Sequence, residues 1–301
     1  MMSGSIQQVI QDMLNSVLPT INTPGGQYYL PTWIQTNGYD PYGKTEAMTW
    51  SVSLSDPTVI QTAASICAQI YQGGEPCSDP NAFYIAAPAT QPTLVLGGNP
   101  GDLLIAGFSN AVMASMTSQT SDPYTIIAIA NFSTLSNYAP NAVISGKFTF
   151  TEYCCCSLDQ KVCSTTPPDA QTGSGTFTAT VKGSATATIT FKITDLAPGI
   201  LTIGVQGVNI VPPMSGGNPA ITIAIDITSI PKNVNSQTYN DAAMEAFNSS
   251  QGLANIVNQM NAIMNQPAQL TAMGNILTQV IDGYLKNSHQ YPFNTASLAL
   301  V

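Results

Sequence analysis

TFTATVKGSATATITFKIT, residues 176–194, is the stretch that decides how this chain folds. Phe177, Ala179, Val181, Ala185, Ala187, Ile189, Phe191 and Ile193 hold one parity. Thr176, Thr178, Thr180, Lys182, Ser184, Thr186, Thr188, Thr190, Lys192 and Thr194 hold the other. Side chains alternate faces along a strand, so an unbroken period of two predicts β-structure with one apolar and one hydroxyl-lined face. At about 3.3 Å per residue the stretch would reach roughly 60 Å, far beyond an ordinary strand. It is therefore either one long curved strand or a hairpin turning near Gly183. A two-residue loop would set Val181 opposite Ser184 and mix the faces. A three-residue loop at Lys182-Gly183-Ser184 sets Val181 opposite Ala185 and Phe177 opposite Ile189. Only the unbroken strand or an odd-length loop keeps one apolar face.

Strand signals flank this segment. Ala142, Ile144, Phe148, Phe150, Cys154 and Cys156 share a parity between Asn141 and Cys156. Leu201, Ile203 and Val205 share a face, then Val208 and Ile210 change parity, which predicts a bulge at Gly207. Ile221, Ile223, Ile225 and Ile227 alternate with Thr222, Ala224, Asp226 and Thr228. A further strand is expected near Thr45–Leu54, and residues 103–116 are apolar without a clear period.

Helical periodicity marks the two ends. Ile6, Val9, Ile10, Met13, Leu14, Val17 and Leu18 fall on one helical face, and Gln7, Gln8, Gln11, Asp12, Asn15 and Ser16 on the other, with Pro19 as the expected stop. Leu253, Ile256, Val257, Met260, Ile263 and Met264 form a second stripe. Leu270, Met273, Leu277, Val280, Ile281, Tyr284 and Leu285 form a third, with a break at Gln266-Pro267. Asp56-Pro57 reads as an N-cap and first-turn proline, predicting a helix to Gln72 that stops at Gly73-Gly74. The expected fold is α+β: a long curved antiparallel β-sheet packed against amphipathic N-terminal and C-terminal helices. It forms a single elongated domain over 1–301, with an N-terminal helix in 1–22, a β-rich core in 140–231 and C-terminal helices in 238–287.

Composition excludes several functions. Charged residues are 8% of the 301, the formal net charge is -9, and all seven cationic side chains are lysines. Nucleic-acid binding needs clustered cations, and so does electrostatic adhesion to anionic lipid. No apolar run is long enough for a transmembrane helix, and Met1–Leu18 lacks the cationic region of a secretory signal. Sparse charge with abundant Thr and Asn suggests an extracellular or secreted protein.

Catalytic signals are thin, and no enzymatic activity is expected. His289 is the only histidine and stands near the C-terminal tail. Gly107-Phe108-Ser109-Asn110-Ala111 misses the nucleophile-elbow pattern at its last position. No phosphate loop, dinucleotide fingerprint or metal-protease pattern occurs, and no cofactor is expected. The sixteen acids mostly stand isolated as turn and cap residues. The cysteines are Cys67, Cys77, Cys154, Cys155, Cys156 and Cys163. Their even number and the extracellular reading favour disulfides tying the 154–163 loop over free buried thiols; a thiolate metal site lacks the usual paired spacing.

The order of elements, with Ile189-Thr190-Phe191-Lys192-Ile193, Leu201-Thr202-Ile203 and Ile221-Thr222-Ile223-Ala224-Ile225, resembles the TULIP superfamily of tubular lipid-binding proteins. The resemblance covers residues 140–287 and the first helix. It implies a curved sheet around a long helix and a groove for acyl chains, or a place among the TULIP-like proteins of bacterial toxin clusters. The lipid-facing candidates are then Phe177, Val181, Ile189, Phe191, Ile223, Ile225, Met260, Met264, Met273 and Leu277, since methionine suits apolar ligands of variable shape. The expected partner is a lipid, another apolar ligand or a membrane. Two alternatives stand beside this: a β-pore-forming toxin of the aerolysin-like type that inserts residues 175–194 as a hairpin, and a structural or adhesive surface protein using its Thr- and Asn-rich face.

Overall fold

A computed structural model describes residues 5–31, 50–52, 58–61, 93–96, 103–106, 111–132, 142–154, 169–197, 199–230 and 236–288. Helix α1 spans Ile6–Ile21. Thirteen strands follow: β1 (Trp50–Val52), β2 (Thr58–Gln61), β3 (Thr93–Leu96), β4 (Leu103–Ala106), β5 (Ala111–Ser118), β6 (Thr125–Phe132), β7 (Val143–Cys154), β8 (Asp169–Val181), β9 (Thr186–Ala197), β10 (Ile200–Val211), β11 (Met214–Ser215), β12 (Asn218–Pro219) and β13 (Ile221–Ser229). Helices α2 (Ser236–Asn248), α3 (Ser250–Met264) and α4 (Pro267–Asn287) close the chain. The protein is α+β, with antiparallel sheets and helices at both ends.

The strands form two main sheets in series. The four-stranded sheet has the order β10-β9-β6-β5. In the other sheet β13 pairs with β8, β8 with β7, and β7 with β3 and β4, whose outer edges carry β2 and β1. The chain crosses between the sheets at each of β4–β5, β6–β7, β8–β9 and β10–β13, and the order of these four runs is the same in both. They make one antiparallel meander, each run interrupted between the sheets. Backbone hydrogen bonds lace the seam: Phe132 N–H to the Ala185 carbonyl at 3.0 Å, Val181 N–H to Ala142 at 3.0 Å, and Lys182 N–H to Ala220 at 2.7 Å.

Residues 176–194 therefore form neither a hairpin nor one uninterrupted strand. β8 and β9 lie in different sheets and do not pair; Phe177 faces Ile225 and Gly146 instead of Ile189. The break is short, and Gly183 turns the corner at φ +77, a conformation that a Cβ disfavours. Parity survives it: Val181 and Ala185 are both buried while Lys182, Gly183 and Ser184 are exposed. The inner side near the seam is built of small residues, with Ala128, Ala130, Ala142, Ala179, Ala185 and Ala187 at 0–1% exposure. Side chains on the inner side of a bend converge, and alanine leaves them room.

The four described helices lie against this meander: α1 on β5, α4 and α3 on β10, and α2 on β13. Phe247 of α2 packs edge-on to Phe148 at 5.2 Å and tilted against Phe177 at 5.2 Å, and Tyr239 meets Phe150 at 5.9 Å. α4 approaches β10 more closely than a side chain would permit, since a Cβ at Gly274 would lie 2.8 Å from the Ile203 carbonyl oxygen. Tyr28 links the first and last helical regions, donating to the Gly283 carbonyl at 3.0 Å and standing edge-on to Tyr284.

Several local expectations change. The strand expected near Thr45–Leu54 is present as β1, and six described strands precede the β-rich core expected over 140–231. The helix expected from Pro57 is strand β2 over Thr58–Gln61, because β-branched Thr58-Val59-Ile60 find a partner in β3; residues 62–74 lie outside the described set. Pro19 sits inside α1, which continues to Ile21. The ambiguous stretch 103–116 supplies β4 and β5. β10 carries the Gly207 bulge and a second register shift between Thr202 and Ile203. The break at Gln266-Pro267 is present, with Pro267 opening α4.

Candidate functional site

The surface with the most chemical consequence is the interface between the inner sheet face and the helices. The sequence dictates it directly: apolar parity on the strands meets apolar stripes on the helices. Phe177, Val181, Ile189, Phe191 and Ile223 project from the sheet and are at most 9% exposed. Ile225 is partly buried on the outermost strand. Met260 and Met264 of α3 are fully buried, and Met273 and Leu277 of α4 are 9% and 4% exposed. Nine of the ten belong to one continuous core together with the stripe of α1, and Ile225 packs against it. The structure thus brings the lipid-facing candidates together, packed against one another.

The sequence reading missed how this layer is attached. β10 and β5 are the edges of the four-stranded sheet, and an edge strand leaves a row of backbone groups unpaired. On β10, Val208 N–H donates to Asn265 Oδ1 at 2.9 Å and Asn265 Nδ2 donates to the Val208 carbonyl at 2.6 Å. Ile210 N–H donates to Asn261 Oδ1 at 2.6 Å and Asn261 Nδ2 donates back at 3.1 Å. Ile203 N–H donates to the Thr278 hydroxyl at 2.9 Å.

β5 is served in the same way from α1. Met113 exchanges two bonds with Asn22, at 3.1 and 2.5 Å. Gln11 donates to the Met116 carbonyl at 3.0 Å and accepts from Ser118 N–H at 2.9 Å, and Gln7 reaches the Ser118 carbonyl at 3.4 Å. A carboxamide carries one acceptor and one donor side, as a peptide group does. Two such groups four residues apart on a helix are about 6 Å apart along the axis, close to the two-residue repeat of about 6.6 Å on a strand. The helices stand in for the missing strands. The signal was present as amides spaced i, i+4 beside an apolar stripe.

Most of the remaining candidates fall outside the described residues. His289 and Gly107–Asn110 lie outside the described residues, as do Cys67, Cys77, Cys155, Cys156 and Cys163. Cys154 ends β7. Among the described residues no cluster of three or more His, Cys, Asp or Glu side chains could hold a metal, and no helix is long and apolar enough to cross a membrane. Asp122 pairs with Lys192 at 2.8 Å on the surface; hydrogen bonds from Lys192 and then Thr125 hold its carboxyl below the usual range. No protein-family model matches the chain, and no curated protein matches it.

Proposed function

We propose that this is a non-enzymatic lipid- or membrane-interacting protein, TULIP-like in plan and acting outside the cell. It would hold an acyl chain or similar apolar ligand between the inner sheet face and the helices. One observation carries this reading: the buried parity of the central run continues across the seam, from Gly173 to Val181 and from Ala185 to Ile193. One apolar wall thus extends through both sheets, with α3 and α4 packed on β10 in one sheet and Phe247 of α2 on Phe177 in the other.

The attachment of the roof supports the same reading. Directional amide bonds fix the helices at the sheet edges, while the middle is held by contacts of Ile, Val, Leu, Met and Phe. Such contacts are non-directional and adapt to an inserted chain. Without arginine the protein lacks a bidentate clamp for a phosphate headgroup, so selection would follow the shape of the apolar part.

The pore-forming alternative calls for residues 175–194 as a detachable hairpin, and β8 and β9 are instead central strands of separate sheets. Native mass spectrometry with organic extraction tests the lipid reading. The expected result is a co-purifying acyl lipid, displaced by fluorescent fatty acid. A protein that is ligand-free and takes up no fluorescent fatty acid overturns it.

A further inference from the structure

β13 is the longest edge strand of its sheet, and no described helix side chain hydrogen-bonds its outer backbone. The bond from Lys182 N–H to the Ala220 carbonyl sets the alternation of this strand. Thr222, Ala224 and Asp226 turn their backbone groups toward β8. Ile221, Ile223, Ile225 and Ile227 turn theirs outward. No hydrogen bond reaches those outward groups from a described residue, in contrast with β10 and β5. Natural edges are guarded by charged side chains, proline, bulges or a covering element; residues 220–229 read AITIAIDITS, with Asp226 as the one charge, a register shift only at the Ile227–Ser229 end, and neither lysine nor proline.

We propose that a second copy of this chain occupies the edge, β13 pairing antiparallel with its own symmetry mate about a two-fold axis at Ala224. The proposal stands whether or not the interior takes a lipid. Outward-pointing groups must meet outward-pointing groups, so Ile223 pairs with Ile225 of the other copy and Ile221 with Ile227. The inner face then gains isoleucine-on-isoleucine contacts that cover Ile225 and Ile227, which are only partly buried in the single chain.

On the outer face, Thr222, Ala224 and Asp226 are all exposed. With Ala224 on the axis, the only charged side chain of the strand, Asp226, faces the Thr222 hydroxyl of the other copy, twice by symmetry. Moving the axis to Ile223 or Ile225 sets Asp226 against an alanine. The strand also has exposed apolar residues beyond both ends: Ile230, 39% exposed, and Met214, 62% exposed, in the β11–β12 hairpin leading into it. An antiparallel two-fold brings Ile230 of one copy toward the Met214 hairpin of the other. Such an isologous pairing closes on itself and leaves neither copy's β13 edge free.

Sedimentation equilibrium of the full chain from micromolar to about 100 µM tests this. The expected result is a monomer–dimer equilibrium. Ala224→Lys sets two lysines side by side on the axis, their Cβ atoms about 5 Å apart, and Thr222→Asp sets carboxylates against Asp226. Each should weaken the dimer at least tenfold, while circular dichroism and the melting temperature of the dilute monomer stay unchanged. Adding Asp226→Lys to Thr222→Asp should restore it. A chain that stays monomeric throughout, or a dimer indifferent to Ala224→Lys, overturns the proposal. So does a Thr222→Asp variant that Asp226→Lys does not rescue.

Discussion

Asn265 and Val208 exchange two hydrogen bonds, so that a single carboxamide on α3 completes the edge of the sheet where the next strand would stand. Asn261 does the same for Ile210, one helical turn earlier.

Removing that carboxamide leaves a donor and an acceptor at the edge to be met by water. Asn265→Ala should cost about 1–2 kcal/mol, the usual scale for such losses. Asn265→Asp should cost more than the alanine, because a carboxylate oxygen would then face the Val208 carbonyl. Urea unfolding of the two variants beside the parent checks the order.

Phe177 and Thr178 are chain neighbours on opposite faces of β8, the first 2% exposed and the second open to solvent. Phe177→Asp should cost about 4 kcal/mol or more, since it buries an unpaired charge and loses the Phe247 contact. Thr178→Asp should stay within about 1 kcal/mol. Equal costs would contradict the assignment of faces.

Gly183 holds the corner between the sheets at φ +77. Gly183→Val should destabilise by about 1–3 kcal/mol, and Gly183→Asn by clearly less, because asparagine tolerates the left-handed region. Thermal melting of the pair separates backbone strain from a general intolerance of side chains at this exposed position.

Tyr239 is fully buried against Phe150, and its hydroxyl lies near the Phe150 backbone without a well-formed hydrogen bond among the described residues. Burial pushes its ionisation well above the ordinary 10.0. A phenol that keeps its proton in the folded state and loses it in the unfolded one makes no difference below about pH 10. Above that, stability falls as pH rises. Tyr239→Phe should be neutral or slightly stabilising at pH 7 and should flatten the decline between pH 10 and 11.5. A steeper decline in the variant would show that other groups govern it.

The inner and outer faces were legible because period two and period 3.6 are local, and the residues of 176–194, 221–227 and 253–285 state them without ambiguity. The corner at Gly183 was not legible. Parity passes through it unchanged, so periodicity cannot tell a bend from a continuation. Thr58–Gln61 misled because Asp56-Pro57 offers a helix start that only the distant β3 overrides. The amide pairs escaped for a related reason: Gln7, Gln11, Asn261 and Asn265 look like solvent-facing residues until the sheet edge they serve is in place.

The Tyr28 hydroxyl rests on the carbonyl of a residue 255 positions later. On a ribosome, that contact waits until residue 283 has emerged. The hairpins β5–β6 and β9–β10 pair residues close in sequence and can form as they emerge, but the roof over β10 is encoded after residue 249. During synthesis the nascent sheet therefore shows its apolar wall and its β10 edge to the surroundings, and a holding chaperone that engages the chain at this stage would protect it from aggregation until α4 is released.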